Sequence, residues 1–394
     1  MYFYRVENDL AVSALPDLPF ETAEPGTPAL FLTERDSGPA VFRATQSHHL
    51  TAPAGVRWLT DGSALERPLT VVNLRHPRWQ DALAFCQPKP GKKRVHLLAV
   101  GDVGGTLLTA LKLLGGDCIS AIGIRDLNEN TVARWVTEMG QIAWPWDYGA
   151  LPEVEAIPED RLFDCDVFIF AATKAIPAVG SGVQDVRMAQ FQANRALVEL
   201  YARKAREVRF RGLFCVISDP VDPLARAALL ASNRDENGVY DGMGLLPQQI
   251  QGYGLGVMNA RAAYYAKQDP RFADFLTEGR AFGPHGTGLV IANSVEHYDD
   301  GLSRELTELA LTANLKMREL GFKPYVAPAL SSAALSVLLT LRGEWHYGSV
   351  CLGDVFMGVK NRYTAAGLET EDLPLPDALF RRLTETQDIL RKII

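Results

Sequence analysis

The chain has 394 residues, 47% of them apolar and 22% charged, with a formal net charge of −7. That length exceeds one typical core and points to two or three domains of an ordinary soluble protein, while the net acidity offers no basic face to nucleic acid. No apolar run reaches membrane-spanning length, and the first residues lack the layout of a signal peptide. The five cysteines (Cys86, Cys118, Cys165, Cys215, Cys351) are scattered and never form a CxxC, so reduced thiols in a cytoplasm are expected and a metal site is not.

Residues 1–90 are rich in proline and glycine, with apolar stretches at 29–32, 41–42 and 69–72. Short strands separated by turns are predicted there. His48-His49 lies in this region without cysteines or paired carboxylates close by, a poor start for a metal site. Gln87-Pro88-Lys89-Pro90-Gly91-Lys92-Lys93 reads as a linker. The pattern then changes. Val95-His96-Leu97-Leu98-Ala99-Val100 predicts a buried strand, 107–114 a helix, 119–124 a second strand and 166–170 a third. A helix over 190–206 and a strand over 212–217 follow. Strands alternating with helices imply a parallel sheet covered on both faces. Beyond Pro223, amphipathic or apolar helices are predicted over 302–320, 331–342 and 376–394, with strands over 350–359. The aromatics of Trp144-Pro145-Trp146 read as core or interface.

Ala99-Val100-Gly101-Asp102-Val103-Gly104 follows the first strand and opens a helix. It is a G-x-G-x-x-G turn with alanine in the first position. Gly101 lets backbone approach a pyrophosphate, Gly104 allows close helix–strand packing, and the N–H groups of Gly101, Asp102, Val103 and Gly104 face the phosphates. Asp126 ends the second strand and suits ribose hydroxyls; its charge would repel a 2′-phosphate, which favours NAD over NADP, although Arg125 stands beside it. Far downstream, Gly283-Pro284-His285-Gly286 places an imidazole in a turn. A nicotinamide enzyme needs an acid/base to move a proton while a hydride moves, and an imidazole titrates in the right range.

With these motifs in order, residues 94–394 resemble the lactate/malate dehydrogenase family. Asp166-Val167-Phe168-Ile169-Phe170-Ala171-Ala172 is similar to the strand that leads into the family's mobile loop, and Arg187 and Asn194 keep that loop's spacing. Ile217-Ser218-Asp219-Pro220-Val221-Asp222 resembles its S/T-N-P-V-D strand end, Gly252-Tyr253-Gly254 through Asn259-Ala260-Arg261 its G-x-G-x-x-L-D-S-A-R helix, and the His285 turn its G-E-H-G. Composition and the resemblance together predict a three-part α/β chain. Residues 1–90 form a small β-rich module and linker, 91–223 a Rossmann-type parallel-sheet domain, and 224–394 an α+β substrate domain. It implies NAD as cofactor, with Asn194 joining the cofactor-binding residues, and a small 2-oxo or 2-hydroxy acid as substrate. It also implies a homo-oligomer, dimer or tetramer. His285 becomes the general acid/base, Arg261 the clamp on the substrate carboxylate, and Arg187 the loop residue that polarises the carbonyl.

Three positions depart from the family. Met258 stands where it keeps the aspartate that orients the histidine, and a thioether cannot replace that acceptor; in a related triad such a loss costs about 10⁴ in rate. Asp219 stands where it keeps an asparagine, and pairing with His285 would restore the missing negative charge. The loop from Thr173 to Arg187 is longer than the family's, and Ile176, Lys174 and Gln184 compete for the position that selects the substrate side chain. These departures leave two other functions open: a dinucleotide-binding sensor or assembly partner without dehydrogenase activity, and an opine-type dehydrogenase that reduces an imine.

Overall fold

The computed structural model describes residues 1–86, 91–174, 186–321 and 327–394, without the side chains of residues 86, 186–190 and 318. The N-terminal part contains β1 (Tyr2–Val6), β2 (Asp9–Ser13), β3 (Glu21–Thr22), β4 (Leu30–Thr33), β5 (Val41–Gln46), α1 (Ser47–Thr51), β6 (Ala64–Asn73) and α2 (Trp79–Cys86). Its strands form one sheet in the order β3-β1-β2-β4-β6-β5. The β-branched and aromatic residues of β4 to β6 pack one face of this sheet against distant parts of the chain. Phe31, Phe42 and Val71 share a core with Val350, Leu352, Val355, Leu379 and Leu383.

The next stretch alternates strand and helix: β7 (Lys93–Leu98), α3 (Asp102–Leu114), β8 (Ile119–Arg125), α4 (Glu129–Gly140), β9 (Glu153–Ala156), β10 (Val167–Phe170), α5 (Val186–Glu207), β11 (Leu213–Val216), α6 (Val221–Ser232) and β12 (Ile250–Gly252). These six strands lie parallel in the order β9-β8-β7-β10-β11-β12. In chain order that is 3-2-1-4-5-6, the doubly wound arrangement whose crevice opens at the carboxyl ends of the strands where the order reverses. Every residue of β10 and β11 is buried, because both faces are covered. Val167, Ile169, Leu213 and Cys215 meet α3 through Leu107 and Leu111. Their alternates Phe168, Phe170, Phe214 and Val216 meet α5 and α6 through Val198, Ala202, Leu224 and Ala228.

The chain continues through α7 (Leu255–Ala266), β13 (Arg280–Phe282), β14 (Val290–Ala292), α8 (Asp300–Glu319), α9 (Ala334–Arg342), β15 (His346–Leu352), β16 (Val355–Thr364), β17 (Gly367–Thr370) and α10 (Asp377–Arg391). β15 pairs antiparallel with β12 and extends the sheet through β16 and β17, while β13 and β14 form a separate ribbon. The α/β class with a β-rich N-terminal sheet agrees with the sequence. Pro223 sits in the first turn of α6, where its missing N–H is one that has no helical partner anyway. The three-residue strands β12, β13 and β14 are too short to leave a periodic signal.

Candidate active site

At the end of β7 the chain turns sharply. Ala99 has φ +73°, a left-handed conformation that suits glycine better than an L residue. Gly104 is obligatory here, since a Cβ would lie 2.0 Å from the Ala99 carbonyl oxygen. A Cβ on Gly101 would meet nothing within 4 Å, so the N-terminus of α3 faces open space. Asp102 is exposed and Val103 half-buried on that first turn. Asp126 closes the turn from the side: its carboxylate accepts the Val100 N–H at 2.9 Å and the Asn128 N–H at 3.1 Å. Arg125 points elsewhere and pairs with Glu159 at 3.6 Å. The Trp135 indole N–H donates to the Val100 carbonyl at 3.0 Å and braces the same turn.

A second group of residues gathers past the ends of β11 and β12. His285 Nδ1 lies 3.3 Å from Asp219 Oδ1. Two glycines permit that approach. Gly283 has φ +86°, and a Cβ on Gly254, which caps α7, would stand 3.1 Å from His285 Cβ. Arg261, two turns along α7, donates to the Ala310 carbonyl at 3.3 Å and lies 3.6 Å from the Met258 sulfur. Burial lowers its guanidinium below the ordinary arginine value, while Tyr265 and the nearby charge of Asp219 pull the other way. Among the described residues no carboxylate lies within ion-pair distance of Arg261.

Asn194 sits behind this group, fully buried. Its amide N–H donates to the Asp219 carbonyl at 2.8 Å, and its oxygen accepts the Lys174 N–H at 3.0 Å. It therefore ties the start of the loop after β10 to the segment that carries Asp219. Arg187 is in the first turn of α5, but its side chain lies outside the described residues, as do Ile176 and Gln184. Tyr253 is buried, with its hydroxyl 2.9 Å from Thr340 Oγ1, so it packs and does not line a pocket. His49 is likewise internal, its Nε2 2.8 Å from the Trp58 carbonyl oxygen. Trp144 and Trp146 are 60% and 92% exposed, which removes them from the core.

The motif at 217–222 ends in a second carboxylate to which the sequence assigned no role. Asp222, in the first turn of α6, is 3% exposed, and its Oδ1 accepts the Ser349 hydroxyl at 2.7 Å. Burial pushes its carboxyl up to about 7. Its partner lies 127 residues away, a distance at which one sequence gives no signal.

No protein-family model matches the sequence, and neither does any curated protein. Solved structures do match in shape. A malate dehydrogenase from Archaeoglobus fulgidus in complex with NADH superposes with a TM-score of 0.59 at 16% identity, over 76% of this chain and 98% of that one. A minor L-lactate dehydrogenase from Enterococcus mundtii, in ligand-bound form, gives 0.60 at 18% identity over 77% and 97%. A lactate dehydrogenase from a deep-sea metagenome gives 0.59 at 17% over 77% and 98%. At these identities the likeness is one of fold: the chain has the fold of the malate and lactate dehydrogenases.

Proposed function

We propose that the chain is an NAD-dependent oxidoreductase that interconverts a 2-oxo acid and a 2-hydroxy acid, and that it is a divergent member of the lactate/malate dehydrogenase family. The observation that carries this reading is the approach of His285 to Asp219 within the field of Arg261, in a sheet whose Ala99–Gly104 turn leaves open space at the start of α3.

The chain's residues fit NAD. The N–H groups of Gly101, Asp102, Val103 and Gly104, at a helix start that a Cβ on Gly101 would leave open, would hold the pyrophosphate. Each oxygen of Asp126 accepts one backbone N–H and keeps lone pairs for ribose hydroxyls. Arg125, paired with Glu159 at 3.6 Å, leaves the repulsion of a 2′-phosphate by Asp126 in place. When bound, the nicotinamide supplies or accepts the hydride.

Arg261 binds the substrate carboxylate through two parallel hydrogen bonds, and burial strengthens that pairing. Arg187 polarises the substrate carbonyl as its loop closes. In reduction, the His285 imidazolium gives its Nε2 proton to the substrate oxygen; in oxidation, the neutral ring takes that proton back. Asp219 faces Nδ1, fixes the tautomer and stabilises the imidazolium, which Met258 cannot do. Asn194 acts one step back, by holding the Asp219 backbone. The protein works as a homo-oligomer in the cytoplasm.

The test is NADH absorbance against a panel of 2-oxo acids, with and without amino acids. Consumption with a 2-oxo acid alone is expected. Consumption that needs an added amino acid would move the chemistry to imine reduction. NADH binding without consumption anywhere in the panel would leave a dinucleotide-binding protein and remove the enzyme.

A further inference from the structure

A cavity of about 300 Å³ lies along the seam where the N-terminal residues meet α6 and the β15–β16 turn. That is the size of a site for a small organic molecule. Part of its lining is apolar, from Leu229 and Leu230 of α6 and from Phe356. Two glycines hold its walls close. Gly242 has φ +69°, and a Cβ there would stand 2.6 Å from Pro77 Cγ; Gly353 has φ +81°, and a Cβ there would stand 2.5 Å from the Ala54 carbonyl oxygen. Both contacts join segments far apart in the chain, so backbone sets the shape of the cavity.

The charges on its wall are not balanced. Asp36, Asp354, Arg35, Arg75 and Arg226 all line it, and both carboxylates are already taken. Asp36 binds Arg75, which also meets Glu34 at 3.3 Å, and Asp354 binds Arg391 at 2.8 Å. Among the described residues, neither Arg35 nor Arg226 has a carboxylate within ion-pair distance. Arg35 donates to the Ala52 and His49 carbonyls, which uses two of its five N–H donors. Burial lowers its guanidinium to about 10. Arg226 reaches the Arg391 carbonyl at the long distance of 3.5 Å. A guanidinium partly withdrawn from water without a counter-charge costs free energy, and a bound anion offsets that cost.

We propose that this cavity binds a small organic phosphate monoester, its phosphate drawn by Arg226 and Arg35, its carbon skeleton against Leu229, Leu230 and Phe356, and a phosphate oxygen accepting the Tyr240 hydroxyl. A phosphate monoester carries about −1.5 to −2 charges at neutral pH, which answers two unopposed guanidiniums, whereas a monocarboxylate would leave one of them unanswered. The planar fork of an arginine also takes phosphate oxygens in pairs. The exposed Tyr240 belongs to the same lining and is free to donate. The apolar lining favours an ester over free phosphate. None of the lining residues belongs to the Ala99–Gly104 turn, and Asp219, Arg261 and His285 are not among them. The cavity is therefore a second site, and it stands whether or not the chain is a dehydrogenase. A ligand there ties the N-terminal residues to α6, the helix that starts just after Asp219 and Pro220.

The experiment is calorimetric titration of the full chain with phenyl phosphate, inorganic phosphate and benzoate. Phenyl phosphate is expected to bind about tenfold more tightly than inorganic phosphate, because its ring is buried, and more tightly than benzoate. Arg226→Gln keeps a polar side chain and removes the charge, so it should weaken phenyl phosphate binding about 10- to 100-fold. Tyr240→Phe removes one hydroxyl and should weaken it a few-fold. Unchanged affinity in Arg226→Gln would put the probe elsewhere, at the Gly101 turn for example, and overturn the proposal. If that variant does not fold, unchanged affinity in Tyr240→Phe overturns it instead. Benzoate bound as tightly as phenyl phosphate would overturn the choice of phosphate, and no heat from phenyl phosphate up to about 10 mM would remove the site. No turnover is needed, so failure of the 2-oxo acid panel would leave this result standing.

Discussion

Replacing Asp222 with asparagine should change stability in a way that depends on pH, and the size of the effect follows from its burial. The folded carboxyl titrates at about 7, against 3.8 for an ordinary aspartate in water. The folded state therefore holds this proton more tightly than the unfolded chain does. Wild-type stability is fully supported below the unfolded value, and this contribution is lost as pH rises through the folded one. A displacement of one pH unit corresponds to about 1.4 kcal/mol, so the group costs wild type up to about 4 kcal/mol between acid and neutral pH. Water penetration around a buried charge makes that an upper figure. Asparagine has no such titration, but it exchanges one acceptor oxygen for an NH₂, which costs about 1–3 kcal/mol at every pH. Asp222→Asn should thus be less stable than wild type near pH 4 and close to it, or more stable, near pH 7. Urea midpoints measured across that range give the difference directly. A difference that stays constant with pH would show that Asp222 is already ionised in the folded protein and that burial does not hold its proton.

Three other substitutions probe the site. Arg261→Lys replaces a two-pronged donor with a point charge, so kcat/KM should fall about 10- to 100-fold, chiefly through KM; an unchanged KM would put the substrate carboxylate elsewhere. Ala99→Gly relieves a left-handed alanine, worth about 1–2 kcal/mol, against the extra freedom of unfolded glycine, about 0.5–1 kcal/mol. A slightly higher melting temperature is expected, and a lower one would mean that the φ of +73° carries no strain. Asp126→Ser removes the charge that repels a 2′-phosphate, so the preference for NADH over NADPH should narrow in fluorescence titrations, and an unaltered ratio would assign the selection to another residue.

What the sequence made legible was local. The Ala99–Gly104 turn and Asp126 sit within 28 consecutive residues of strand, turn, helix and strand, so their spacing alone fixes which ends of the sheet they share. His285 and Asp219 lie 66 residues apart, and their association could be suspected because two compensating departures, at Met258 and Asp219, pointed at one imidazole. Asn194 was legible as a residue of the loop region, but its burial was not, since an internal tie to backbone carries the same polar signature as a ligand contact. Asp222 stood within a motif but was given no role, because its hydroxyl partner Ser349 lies 127 residues away. For the tryptophans at 144 and 146, the core half of the reading fails because hydrophobicity predicts burial only on average, and a loop beyond α4 escapes the average.

The N-terminal residues read as a module from their composition, yet their packing argues that they complete the body of the protein. Trp58, Leu59, Phe42 and Val71 are at most 4% exposed, and they share a core with Val350, Leu352 and Val355 of the main sheet and with Leu379, Leu383 and Leu390 of α10. Arg43 reaches Glu369 at 2.8 Å, and the Thr45 hydroxyl binds the Asp372 carboxylate across the same seam. Full burial of one large apolar side chain contributes about 1.5–3 kcal/mol, while a whole domain is stable by only about 5–15 kcal/mol. Uncovering several such side chains at once exceeds what the remainder can tolerate. A chain of residues 91–394 should therefore bind a hydrophobic dye and lose cooperative unfolding, even though the Gly101 turn, Asp219 and His285 are all retained. If that fragment melted cooperatively at the temperature of the full chain, the N-terminal sheet would be an attachment and the shared core a contact of no energetic consequence.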